Sequence, residues 1–137
     1  MWSANVRKPF GYVTEAKASR ARAGGLVHGG ALWSIDSDFD CRHVAAGDEY
    51  AITDHCGQIA ILNSEIDPAY LAAQVRQAGL DYGFNRDFRP SLELMRKLEV
   101  VLPITADEKF DLELMQQWSA YREKMKLFRL EIAKLFE

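Results

Sequence analysis

Residues 111–137 read DLELMQQWSAYREKMKLFRLEIAKLFE. Within them Leu114, Trp118, Tyr121, Met125, Phe128, Ile132 and Leu135 recur at alternating spacings of four and three. That spacing places seven apolar side chains on one stripe of an α-helix, unbroken over about three heptads. At ~1.5 Å per residue such a helix extends on the order of 40 Å. A body of about 100 residues holds one modest core, too small to bury a seam of that length. Part of the rod is therefore expected to project and seek a partner helix, the alternative being a terminal helix folded back along its own domain. Residues 107–137 are read as a spacer helix for helix–helix pairing.

Working outward, the segment before the rod reads as short strands followed by helices. ALWSIDSDFD (31–40) alternates, with Leu32 facing away from Trp33, and runs into an Asp-rich turn. CRHVAAGDEY (41–50) reads as a strand and a turn at Gly47-Asp48. AITDHCGQIAIL (51–62) reads as a strand pair with Gly57 at a bend or bulge, placing Asp54 and His55 on a strand. Gly24, Gly25, Gly29 and Gly30 flank a turn-rich entry into this sheet. In DPAYLAAQVRQAGL (67–80), Asp67 is a suitable N-cap, Pro68 suits the first helical position, and Gly79 is expected to stop the helix. RPSLELMRKL is predicted as a second, shorter helix, EVVLP as a buried strand ended by Pro103, and ITADEK as a linker. The expected fold class is α+β: a compact mixed sheet-and-helix domain over 24–106, then the long C-terminal coiled-coil helix.

Composition narrows the function classes. The chain has 137 residues, 48% apolar and 27% charged, as in an ordinary water-soluble domain. No run approaches the ~18 apolar residues that span a bilayer. MWSANVRKPFGYV lacks the apolar block of a signal peptide, so a cytoplasmic location is expected. Two cysteines, Cys41 and Cys56, are too few for a disulfide framework. The net charge of −3 is unlike that of a typical phosphate-binding domain. Residues 1–23 run against that average, since Arg7, Lys8, Lys17, Arg20 and Arg22 face only Glu15. They are read as a partly ordered basic arm.

Three chemical constellations invite comparison with active sites. Asp54, His55 and Cys56 are consecutive, but neighbouring side chains on a strand point to opposite faces, which rules out an Asp–His–Cys relay. Cys41, His43, His55 and Cys56 supply metal-ligating side chains without the paired spacing of a structural zinc site. The cysteines are better read as small core hydrophobes. A metal-dependent hydrolase built on His43, His55 and Asp54 is a remote third reading. DPAY at 67–70 can be set beside the Asp-Pro-Pro-Tyr motif of amino-methyltransferases. Ala69 replaces the second proline, and no glycine-rich loop for a methyl donor stands upstream, so it is read as a helix cap. Neither a catalytic residue, a metal nor a cofactor is expected.

What remains are polar groups at strand ends and loops, the kind that read base edges and phosphates. In order, ALWSIDSDFD, AITDHCG, IDPAYLAAQV, FNRDFRPSLELMRKLEVVLPI and FDLELMQQWSAYREKMKLF resemble successive blocks of a target-recognition domain. Such domains occur in type I restriction-modification specificity subunits and in the C-terminal recognition region of N6-adenine DNA methyltransferases. The resemblance spans roughly residues 25–137. It implies a non-catalytic module that reads one half of a double-stranded DNA site, paired with a methyltransferase domain or subunit. It also implies that the terminal helix packs on a second recognition domain or a second copy of the chain. His43, Asp54, His55, Arg86 and Arg89 are assigned to the DNA face, with Arg42 and the arm residues Lys17, Arg20 and Arg22 on phosphates. A protein-interaction or regulatory module that uses the helix without touching DNA is the alternative.

Overall fold

A computed structural model describes residues 1–2, 6–9, 11–12, 14 and 22–137, the side chains from residue 25 onward in the last stretch. Among these residues the fold is α+β: five strands, β1 (Arg22–Gly25), β2 (Gly30–Ser34), β3 (Cys41–Val44), β4 (Glu49–Ile52) and β5 (Cys56–Ala60), precede three helices. The helices are α1 (Pro68–Tyr82), α2 (Leu92–Met95) and α3 (Leu112–Lys134). β2 is the centre of an antiparallel sheet ordered β3-β2-β5, and β1 pairs with β4 as a separate antiparallel ribbon.

All five residues of β2 are buried, because the strand is covered on both faces. Ala31 and Trp33 point to the helix side, where they pack with Phe39, Leu71, Ala72, Val75, Phe84 and Met95. Leu32 points the other way, to Val6, Val44, Ile52 and Cys56. The period-two alternation of side chains thus feeds two cores from one strand. Val6 and Trp2 belong to the second core, and Trp2 bridges to Ile52, so part of the N-terminal arm is packed. Its last two residues open β1, opposite Ile52 and Ala51.

Helix α1 begins as its sequence requires. Asp67 accepts the Tyr70 N–H at 2.8 Å, and Pro68 occupies the first turn. It does not stop at Gly79. It runs to Tyr82 and ends at Gly83, whose φ of 100° is the left-handed cap conformation. Gly79 is needed for contact instead: a Cβ there would lie 2.1 Å from the Phe39 ring. Gly57 likewise is not at a bend but inside β5, under the Trp33 indole. The bend falls earlier, at residues 53–55, so Asp54 and His55 sit in a turn and not on a strand.

Two further expectations are corrected. α2 is shorter than RPSLELMRKL suggests, since Ser91 is its N-cap and only Leu92–Met95 are helical. EVVLP forms no strand: it pairs with no ladder, and Val101 is 78% exposed. The segment expected to be a linker closes on itself through the Ile104–Phe110 bridge.

α3 docks by its first two turns and then leaves the body. Asp111 caps it, Met115 is fully buried, and the Trp118 ring meets Tyr70 edge-on at 4.9 Å. Tyr121, Phe128, Ile132 and Leu135 are exposed, as expected of a projecting seam. Met125 is half-buried. Besides Trp118, the docking stripe is Leu112, Met115 and Ser119, one step round from the heptad seam, which leaves Leu114 exposed. No described helix is long and apolar enough to cross a membrane.

Candidate nucleic-acid interface

One end of the three-stranded sheet carries three loops: residues 35–40 after β2, residues 53–55 before β5, and residues 83–91 between α1 and α2. The strand register brings the first two together, because Ser34 pairs with Cys56 and Trp33 with Cys41. Ile35 N–H then donates to the His55 carbonyl at 3.1 Å.

The 35–40 turn is closed from within by Ser34. Its hydroxyl donates to the Asp38 carbonyl and accepts the Asp40 N–H, both at 2.9 Å. The 83–91 loop is braced by a ring cluster: Phe84 lies 5.3 Å from Phe39 and 5.5 Å from Phe88, and Tyr82 stacks on Phe88 at 6.0 Å. Asn85 Oδ1 accepts the N–H groups of Asp87 and Phe88, an Asx turn that shapes the loop tip. Trp33 Nε1 donates to the Pro90 carbonyl at 3.2 Å from inside the core.

These backbones present four of the predicted residues on one face: Asp54, His55, Arg86 and Arg89. Each arginine is held by a carboxylate of the 35–40 turn. Arg86 Nε donates to Asp38 Oδ1 at 3.0 Å, and Arg89 Nη1 to Asp36 Oδ1 at 2.9 Å. Asp36 Oδ2 pairs with His55 Nδ1. Asp54, 92% exposed, stands 3.6 Å from His55 Nε2. The hydrogen bond that His55 donates to Asp36, reinforced by the charge of Asp54, raises the His55 pKa above its ordinary value. The same bond holds Asp36 below the usual carboxylate range, with Arg89 acting in the same direction.

Of the other predicted residues, Arg42 and His43 lie elsewhere. Arg42 and His43 are neighbours on β3 and point to opposite sides of the sheet. Arg42 lies over the Trp2 ring, 3.9 Å from its centroid, in a cation–π contact on the ribbon side. His43 lines an open cleft of about 420 Å³ with His28, Ser64, Asp67 and Gln116. Lys17 and Arg20 fall outside the described residues, and so does the Arg22 side chain, whose backbone is in β1.

The cysteines take no part in this face. Cys41 is buried on the helix side and Cys56 on the ribbon side. Burial pushes both thiols up, Cys56 to about 12, which leaves them protonated and poor nucleophiles. Among the described residues no three His, Cys, Asp or Glu side chains converge as a metal site.

Sequence reading places Asp36 and Asp38 among the polar groups of a turn without giving them partners, and it passes over Asp40, which binds Arg7 and Arg76 at 2.9 Å each. A signal for the first two was present: acids at 36 and 38 have a matching pair of bases at 86 and 89 in another loop. The face is not a basic patch. Asp36, Asp38, Asp54 and Asp87 together outnumber Arg86, Arg89 and a protonated His55.

No family model, curated protein or solved structure matches the chain.

Proposed function

We propose that this chain is a sequence-specific DNA recognition module of a restriction-modification methyltransferase, reading one half of a target site. In this reading the module has no catalysis of its own and works in the cytoplasm. Methyl transfer to adenine N6 belongs to a partner domain or subunit. The module docks through α3 onto a second recognition domain or a second copy of itself. The observation that carries the proposal is the pairing of two outward guanidinium groups with carboxylates on a braced turn. Arg86 is 71% exposed yet anchored through Nε to Asp38. An arginine oriented in this way pays less entropy on meeting a base edge than a free one, and guanidinium is the commonest reader of guanine. The exposed apolar side chains on the distal half of α3, Leu127, Phe128, Leu130 and Ile132, support the docking half of the proposal.

A specific observation favours a second reading, a protein-interaction module that never touches DNA. The face carries more carboxylates than cations, and its arginines are already satisfied within the molecule. A duplex must then compete with Asp36 and Asp38 for them.

Selection of bound sequences from a random duplex pool at low salt separates the readings. A DNA reader enriches a short motif, and its affinity falls steeply as salt rises, because bound phosphates release counterions. A pool recovered unchanged, with no salt-dependent binding, removes the DNA reading and leaves the interaction module.

A further inference from the structure

The three loops of the candidate face meet at one side chain. The Asp36 side chain is 27% exposed, against 52% for His55 and 62% for Arg89. Its two oxygens are divided between the partners, Oδ2 to His55 Nδ1 and Oδ1 to Arg89 Nη1. Each partner is also fixed at its base. The His55 carbonyl takes the Ile35 N–H, and the residue after Arg89, Pro90, is buried and takes the Trp33 indole N–H. The 35–40 turn is itself closed by Ser34. Beyond a longer bond from Arg89 Nε to the Arg86 carbonyl at 3.4 Å, the side-chain tips are left to be set, and both end on the same carboxylate.

We propose that Asp36 is the positioning residue of this face, fixing the His55 ring and the Arg89 guanidinium as a coupled pair rather than as two independent contacts. The reading role of the pair rests on the DNA-recognition proposal above, whereas the coupling does not. The charged groups facing His55 are Asp36 from the turn after β2, Asp54 from its own turn, and Arg89 from the loop after α1. Arg89 opposes protonation of His55 through space, and it draws on the same carboxylate that favours it. Removing Arg89 therefore gives Asp36 wholly to His55. Removing the charge of Asp36 releases both tips at once.

The test is a double-variant cycle on the full chain, with His55 titrated by NMR in wild type, Asp36→Asn, Arg89→Ala and the combination. The expected result is that Arg89→Ala raises the His55 titration and Asp36→Asn lowers it toward the ordinary imidazole range, Asp54 remaining in place. In the Asp36→Asn background, Arg89→Ala then gives a smaller upward shift, the through-space part alone. An equal Arg89→Ala shift in both backgrounds, or a wild-type-like titration in Asp36→Asn, overturns the coupling. Arg89→Ala leaves Asp36 in place and keeps the test usable if Asp36→Asn unfolds. Selection from the random duplex pool supplies the second arm. Asp36→Asn is expected to blur the same base positions that His55→Ala and Arg89→Ala blur singly. Loss of preference in those two variants but not in Asp36→Asn overturns the positioning role. A wild-type chain that enriches no motif counts against the DNA reading alone, since the titration cycle decides the coupling without DNA.

Discussion

Ser119 Oγ donates to Asp67 Oδ2 at 2.8 Å, the same carboxylate oxygen that accepts the Tyr70 N–H to cap α1. One acid thus starts the first helix and moors the last. Ser119→Ala removes the mooring and keeps the cap, at an expected cost of about 1–2 kcal/mol for a hydrogen bond to a charged acceptor. Asp67→Ala removes both and should cost roughly 1 kcal/mol more, the usual worth of an N-cap. Hydrogen exchange locates the effect: Ser119→Ala should lower amide protection in the first turns of α3 and leave β2 unchanged. Unaltered protection there would show that Met115 and Trp118 dock the rod without it.

Two glycines are required by contact and not by backbone conformation. A Cβ at Gly57 would fall 2.1 Å from the Trp33 indole, and one at Gly79 would fall 2.1 Å from Phe39. Both rings are buried, and Trp33 is further tied to Pro90, so neither has room to yield. Overpacking of this kind costs ~1–3 kcal/mol. Gly57→Ala and Gly79→Ala should each lower the unfolding midpoint, by several degrees in a domain of this size. Gly47→Ala is a useful contrast, because a Cβ there meets nothing within 4 Å and its cost is the left-handed φ of 77° alone.

These glycines also show where sequence reading runs out. Asp67-Pro68 is a local signal, and it places the start of α1 correctly. Gly79 looks able to end that helix, which instead runs on to Gly83. The glycine at 79 answers to Phe39, about forty residues away, which needs the space there. EVVLP has the composition of a strand, but strand formation needs a partner edge, and none among the described residues reaches it. The heptad period of α3 is legible because it repeats locally. Which of its turns dock is not, since that depends on Tyr70 and Asp67. The candidate face was half visible for the same reason. Arg86, Arg89 and His55 announce themselves by residue type, while their carboxylate partners lie 19 to 53 positions away and look like turn formers.

Asp40 predicts an acid limb to the stability curve. Burial pushes its carboxyl up, but hydrogen bonds from Arg7, the Cys41 N–H and Arg76 outweigh that and hold it below its ordinary value. A group whose folded pKa is depressed contributes stability above its unfolded pKa and loses that contribution as pH falls through the folded one. Wild-type stability should therefore decline below about pH 4, the unfolded carboxylate range. Asp40→Asn should lower stability at neutral pH and flatten the acid limb. A parallel pH profile in the variant would mean that the arginines hold the turn without the charge.

The distal half of α3 should govern association. Phe128 and Ile132 are exposed on the projecting part of the seam, where a glutamate costs the isolated fold little. Sedimentation of the wild-type chain should show association that rises with concentration, as expected of paired helices. Phe128→Glu with Ile132→Glu should abolish it while the thermal midpoint of the dilute protein stays within about 2 °C. A wild-type chain that is monomeric at every concentration measured rules out pairing of like with like.

The two arginines of the loop face should separate reading from folding. The Arg86–Asp38 pair is exposed on both sides, 71% and 75%, and such pairs contribute ~0–1 kcal/mol to stability. Arg86→Ala should therefore leave the unfolding midpoint almost unchanged. If Arg86 reads a base, the same variant should lose ~1–3 kcal/mol of discrimination at one position of the enriched motif. Its salt dependence should stay that of wild type, because no phosphate contact is lost. Arg89→Ala is expected to behave alike, with an added change at whichever position His55 serves, since the two share Asp36. A variant that keeps its motif and instead binds all duplexes more weakly, with a shallower salt slope, would move that arginine from the bases to the backbone. A variant that changes neither motif nor slope would leave the guanidinium as a brace for the turn and nothing more.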